Sequence, residues 1–298
     1  LPISKNYSES KYIEEVDLNS SSSVGSALLQ GYFLTDNYYS EYNAEESGMA
    51  EPHNWIYQND YSIGRLVETP GQIEKTINIF LAQNGQLDAA SPSDKVLVTG
   101  FDFIYDAAKK IKDSFRTAHG NGSVDCHLDD PLRSEDPAAI DCDVPDTDPT
   151  SEKPYPPSTF ASSFLPAAPH KINSILTHAN HYSFSASRGD TTSDDVLYCT
   201  DASYDATYCY QGGDIASSAN NLKSSILYTS GCHSGLSIPS SDEPDTPLDL
   251  PEIMANKGVV GYIGNKGYPR EIKFGRGLTE RLRQLFTEEL FGTGRENG

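Results

Sequence analysis

Ile226-Leu227-Tyr228-Thr229-Ser230-Gly231-Cys232-His233-Ser234-Gly235 decides how this chain folds. A continuous apolar run stops abruptly in small residues, a thiol and an imidazole. Such a run is what a strand covered on both faces requires. The stretch Ile175-Leu176-Thr177-His178-Ala179-Asn180-His181 repeats the pattern, an apolar strand ending at a base-type residue among small neighbours. Lys95–Gly100 and Val259–Gly264 are two more apolar strands.

Helical segments lie between them. Thr69 caps a helix, with Pro70 at its first position and Gln72 three residues after the cap, a capping-box arrangement. Ile73, Ile77, Phe80 and Leu81 follow at helical spacing, and Gly85 closes the helix. A second helix carries Ala107, Ala108, Ile111 and Phe115 on one side. A short one spans Leu250–Asn256, and a last one places Leu278, Leu282, Leu285, Phe286 and Leu290 on one stripe. Strands alternating with helices specify an α/β fold, a mostly parallel sheet with helices on both faces. Ligands bind such sheets beyond the carboxyl ends of the strands.

The rest of the chain is less regular. Residues 1–23 read as an N-terminal arm, ahead of a single domain over 24–298 that opens with the apolar stretch Gly25–Leu34. Ile63–Val67 is a further short apolar element. Two polar insertions interrupt the rhythm, at about 118–170 and 185–213. Each carries a cysteine pair, Cys126 with Cys142 and Cys199 with Cys209. Four cysteines allow three pairings; the local one closes two short loops. Disulfides imply an extracellular or cell-surface setting, and the fifth cysteine, Cys232, is left as a thiol with a task or an intermolecular bridge. The chain starts at Leu1 with no signal peptide, which reads as a piece processed from a larger polypeptide.

Composition excludes whole classes of function. The 298 residues hold 22 Lys+Arg against 43 Asp+Glu, a net charge of −21 concentrated before Pro251. That argues against nucleic acid and anionic membranes, which demand basic surfaces. No apolar run reaches the roughly 18–20 residues of a membrane span. A 37% hydrophobic content is too high for a disordered acidic tail.

In a parallel sheet the two unusual strand ends open on the same edge, so His178 and Cys232 converge across 54 residues. The small neighbours leave room for a substrate backbone and turn local N–H groups toward a developing oxyanion. A thiolate beside an imidazole is a nucleophile with a general acid/base, the equipment of acyl transfer.

A His at one strand end followed by a small residue, with a Cys after a small residue at the next, resembles the caspase–legumain–gingipain clan of cysteine peptidases. SGCHSGL (230–236) is most similar to the gingipain family, as are SIGRLVETP (62–70), VTGFDF (98–103) and YIGNKGY (262–268). The resemblance is scattered over about residues 25–291 and misses both insertions. It implies a caspase-like three-layer sandwich and hydrolysis of polypeptides. Cys232 would be the nucleophile, and His178 would protonate the leaving amine. The amides of Cys232 and Ala179 would form the oxyanion hole. Ala179 departs from the glycine usual in the family, and the chain is shorter at the front than a two-subdomain gingipain unit.

The resemblance also implies a preference for a basic residue before the scissile bond, for which Asp102 and Asp36 at strand ends are candidate pocket carboxylates. No cofactor is required for the chemistry. Asp141, Asp143, Asp146 and Asp148 form an oxygen-rich run suited to a structural Ca²⁺, although it lacks EF-hand spacing. His178, His181, Cys232 and His233 could be imagined around zinc, but no CxxC or HExxH spacing supports that. Arg188-Gly189-Asp190 is a chance triplet. The alternative to a peptidase is an inactive surface or adhesion module on the same scaffold.

Overall fold

The computed structural model describes residues 3–5, 32–34, 45–46, 55–56, 64–67, 69–82, 84, 95–100, 104–128, 170–177, 179–185, 209–211, 222–238, 248–267 and 277–290. The chain gathers into two units, Leu1–Leu66 with Ile238–Pro244, and Val67–Ser237 with Asp245–Gly298.

In the first unit β1 (Ile3–Lys5) pairs antiparallel with β2 (Tyr32–Leu34), the end of the expected Gly25–Leu34 strand. β3 (Glu45–Glu46) pairs antiparallel with β4 (Trp55–Ile56). Residues 64–67, part of the expected element Ile63–Val67, form no strand or helix.

The second unit is built on an α/β sheet of five strands, all parallel. In chain order they are β5 (Val96–Gly100), β6 (Val124–Leu128), β7 (Ile172–Leu176), β10 (Ile226–Thr229) and β11 (Gly261–Ile263). Across the sheet the order is β6-β5-β7-β10-β11. The chain adds β6 on one side of β5, then returns to add β7 on the other, with Val96 of β5 opposite both Val124 and Ile172. Connections therefore diverge between β5 and β7, and at such a switch point the loops leave a crevice beyond the carboxyl ends.

Two helical layers cover the sheet, and strand alternation feeds both. Val96 and Val98 of β5 and Tyr228 of β10 join α2 (Tyr105–His119), whose Ala107, Ala108, Ile111 and Phe115 are fully buried, as their spacing required. Leu97, Ile175 and Leu227 point the other way, into a core closed by Leu250, Ile253 and Met254 of α3 (Leu250–Asn256). α4 (Leu278–Leu290) adds Phe286 to the first face, edge-on to Tyr228 at 5.4 Å. α1 (Pro70–Ala82) packs on α3.

The capping box at the start of α1 forms as expected. The Thr69 N–H donates to Gln72 Oε1 at 2.7 Å, and the Gln72 N–H to Thr69 Oγ1 at 3.4 Å.

Three features depart from the sequence reading. β6 lies within the insertion expected at about 118–170; its buried Val124 and Cys126 alternate with Asp125, the pattern of a strand at a sheet edge. α1 buries Ile79 and leaves Ile77, Phe80 and Leu81 exposed. Polar anchors set that rotation, because Gln72 Nε2 donates to Glu252 Oε1 at 2.6 Å and the Lys75 ammonium donates to the Asn256 carbonyl. α4 likewise buries Glu280, Arg283, Gln284 and Thr287 and exposes Leu278, Leu282 and Leu285. Its inward face is fixed by Thr287 against the Tyr228 hydroxyl at 2.6 Å and by Arg283.

The second insertion is bracketed by a small antiparallel pair, β8 (Ser183–Ser185) with β9 (Cys209–Gln211). Among the described residues no helix is long and apolar enough to cross a membrane.

Candidate functional site

β10 ends at Thr229, and the chain turns at once through Ser230–Leu236. The Gly231 N–H donates to Thr229 Oγ1 at 3.1 Å, and the Ser234 hydroxyl donates back to the Gly231 carbonyl at 2.7 Å. The Leu236 N–H donates to the His233 carbonyl at 2.8 Å. His233 takes φ 50°, a left-handed conformation uncommon for a residue with a side chain. Cys232, half-buried at the outer bend, carries a thiol rather than half a disulfide.

The segment after β11 holds this turn from outside. Asn265 Nδ2 donates to the Ser230 carbonyl at 2.6 Å and the Gly231 carbonyl at 3.3 Å; its oxygen accepts from Arg283 Nη2 of α4 at 3.1 Å. The Gly235 N–H donates to the Asn265 carbonyl at 2.7 Å, and the Tyr262 hydroxyl donates to the Ser234 carbonyl at 2.7 Å. Gly235 and Gly264 pass backbone to backbone: a Cβ built on Gly235 would stand 2.6 Å from the Gly264 carbonyl carbon. With the Ser230, Gly231 and Ser234 carbonyls and the Ser234 hydroxyl all bonded, the turn can hold Cys232 in one place.

The loop after β7 reaches the same spot. β7 and β10 are hydrogen-bonded neighbours with Ile175 opposite Thr229, so their following loops leave side by side. A Cβ on Gly231 would overlap the Ala179 methyl and lie 3.0 Å from the Thr177 carbonyl oxygen and 3.1 Å from the Ala179 nitrogen. The residue before Cys232 thus touches the residues on either side of His178. His178 itself lies outside the described residues. The methyl of Ala179 fills the space that the missing Cβ of Gly231 leaves, which accommodates alanine at this position.

Behind the rim lies a buried polar pair. His181 Nδ1 is 2.7 Å from Asp249 Oδ1, and the Leu250 N–H donates to the His181 carbonyl at 2.8 Å, tying this loop to the start of α3. His233 is buried beside it. Burial, helped by the positive charge His181 can carry, pushes the His233 imidazole down to about 4, against the opposing effect of a hydrogen bond to the Lys266 backbone. His233 is therefore neutral at pH 7. Burial pushes the Tyr228 phenol up to about 12, with hydrogen bonds to Thr287 and Ser174 working the other way. Burial also raises Tyr262 above the ordinary phenol range. Both stay protonated and act as hydrogen-bond donors and packing surfaces.

The other expected site residues are placed unevenly. Asp36, Asp102, Asp141, Asp143, Asp146, Asp148, Cys142 and Cys199 lie outside the described residues. Cys209 is placed only by its backbone in β9, and Cys126 in β6 is disulfide-bonded. Among the described residues no three His, Cys, Asp or Glu side chains gather to hold a metal ion. The spacing of candidate nucleophile and base did not point to Asn265, Arg283 or Asp249. Asn265 lay within the YIGNKGY stretch quoted for its resemblance, and that was its one signal in the sequence.

The chain matches no protein-family model, no curated protein and no solved structure.

Proposed function

We propose that this chain is a cysteine endopeptidase of gingipain-like character, on a caspase-like version of the α/β scaffold. The supporting observation is the contact of Gly231 with Thr177 and Ala179, which brings the Cys232 turn against the loop that carries His178. In the proposed reaction the Cys232 thiol gives its proton to His178 and the sulfur attacks the scissile carbonyl carbon. The carbonyl oxygen becomes an oxyanion facing the amides of Cys232 and Ala179, and the C–N bond breaks as His178 donates a proton to the departing amine. Water, losing a proton to His178, then hydrolyses the thioester and regenerates the thiol.

Asp102 is the proposed carboxylate for a basic residue at P1. The remaining cysteines, Cys126, Cys142, Cys199 and Cys209, are proposed to staple the two insertions, in keeping with an extracellular or cell-surface location and with the disulfide at Cys126. The acidic run Asp141–Asp148 is proposed to hold a structural Ca²⁺; chelator should then lower the melting temperature of the wild-type chain.

The test of the activity uses fluorogenic peptides that differ only at P1. Turnover, fastest with Arg or Lys at P1, should vanish in Cys232→Ala. Equal turnover by variant and parent would refute the assignment of Cys232. Absence of turnover by both would favour the inactive surface module.

A further inference from the structure

At the opposite edge of the sheet, before β10 and β11 begin, a cavity of about 670 Å³ lies between α1 and the turns that feed those strands. Three lysines line it, Lys75, Lys223 and Lys257, against a single carboxylate, Glu74. A chain with 22 basic and 43 acidic residues has few cations to place, and it places three of them here.

The walls are fixed. The Ser224 N–H donates to the Gly258 carbonyl at 2.8 Å, stapling the Lys223 turn to the Lys257 turn, and Ser225 closes its own turn by bonding to Leu222 through both N–H and hydroxyl. Gly258 sits at φ 87°, where a Cβ would stand 3.0 Å from Lys223 Cα and 3.3 Å from Ile79 Cδ1, so glycine is what lets the turns close on α1. On α1, Gln72 is bonded to Glu252, and the Lys75 ammonium to the Asn256 carbonyl, so Lys75 is part of the wall. Burial and the neighbouring Lys75 charge hold Lys257 below the ordinary lysine range. That repulsion is relieved when a counter-charge enters between them.

We propose that this cavity binds a small multiply charged anion, a polycarboxylate or a phosphate-bearing molecule, through Lys75, Lys223 and Lys257, with Ile79 as an apolar floor. Ammonium groups bind such ligands as point charges, and a site at the amino ends of the strands is separate from the Cys232 rim.

The experiment uses the whole chain with citrate, inorganic phosphate, or sodium chloride at matched ionic strength. Melting temperature should rise saturably with citrate, phosphate or both, beyond the rise with chloride, and the excess should disappear in Lys223→Gln/Lys257→Gln. A response to one anion alone identifies the ligand class. In the wild-type chain, acylation of Lys223 and Lys257 followed by mass spectrometry should slow about tenfold at an anion concentration ten times the dissociation constant, while other lysines are unaffected. The proposal is overturned if chloride matches the other anions, if the double variant responds like the parent, or if the two lysines gain no protection.

Discussion

At position 231 there is no room for a side chain. A Cβ there would meet the Ala179 methyl, and both atoms belong to backbone-anchored groups that cannot swing aside. Overpacking of this kind costs about 1–3 kcal/mol, and here it would part the two loops the proposed chemistry needs together. Gly231→Ala should therefore lower kcat/KM by about two orders of magnitude while the chain remains folded. Adding Ala179→Gly removes the opposing methyl and should restore much of the loss. A double-mutant cycle on peptide hydrolysis checks this; additive losses would mean that the two residues do not meet. None of this contact was legible in the sequence. The small residues beside Cys232 and His178 were visible, but small neighbours suit many folds, and only the register of β7 against β10 makes these two face each other.

At the scale of elements, what was legible was whatever local chemistry dictates. The capping box, the stripe of α2 and the apolar runs of four sheet strands all rest on short-range pattern. α1 and α4 were misread in rotation because hydropathy assigns the apolar face inward, whereas specific polar bonds turned both helices. β6 escaped notice because an edge strand alternates, and its neighbourhood is acidic and proline-rich. The inward polar face of α4 has a consequence for the candidate site: Arg283 holds Asn265, and Asn265 holds the Cys232 turn. Arg283→Met and Asn265→Ala should each cost about 1–3 kcal/mol in stability and lower kcat more than they change KM. Because they act along one chain of bonds, the double variant should be little worse than Asn265→Ala alone. Strict additivity in kcat would show that Arg283 acts elsewhere.

At the scale of the whole molecule, buried imidazoles set the response to acid. His233 is held at about 4 by burial, and burial also lowers His170 despite its bond to Asp125. Below the ordinary histidine value near 6.5 the unfolded chain takes up protons that the folded chain refuses. Stability is thus complete above about pH 6.5 and falls as pH drops toward 4, by about 3 kcal/mol for His233 alone. Asp125 adds loss at lower pH: burial raises its carboxyl, but hydrogen bonds from His170 and Lys95 outweigh that and leave it below the usual range. Denaturant titrations from pH 7.5 to 4 should show this slope. His233→Asn, whose side chain tolerates the left-handed backbone, should flatten it. An unchanged slope in that variant would place the acid sensitivity elsewhere.

In the proposed reaction Cys232 and His178 work on a bound peptide as a pair. A peptidyl acyloxymethyl ketone with arginine at P1, followed by mass spectrometry, tests it most directly. One adduct per chain is expected, on Cys232, blocked by competing peptide and formed at least about a hundredfold more slowly in His178→Ala. A chain that forms no adduct, or one in which Cys232 is labelled equally fast with and without His178, would contradict it.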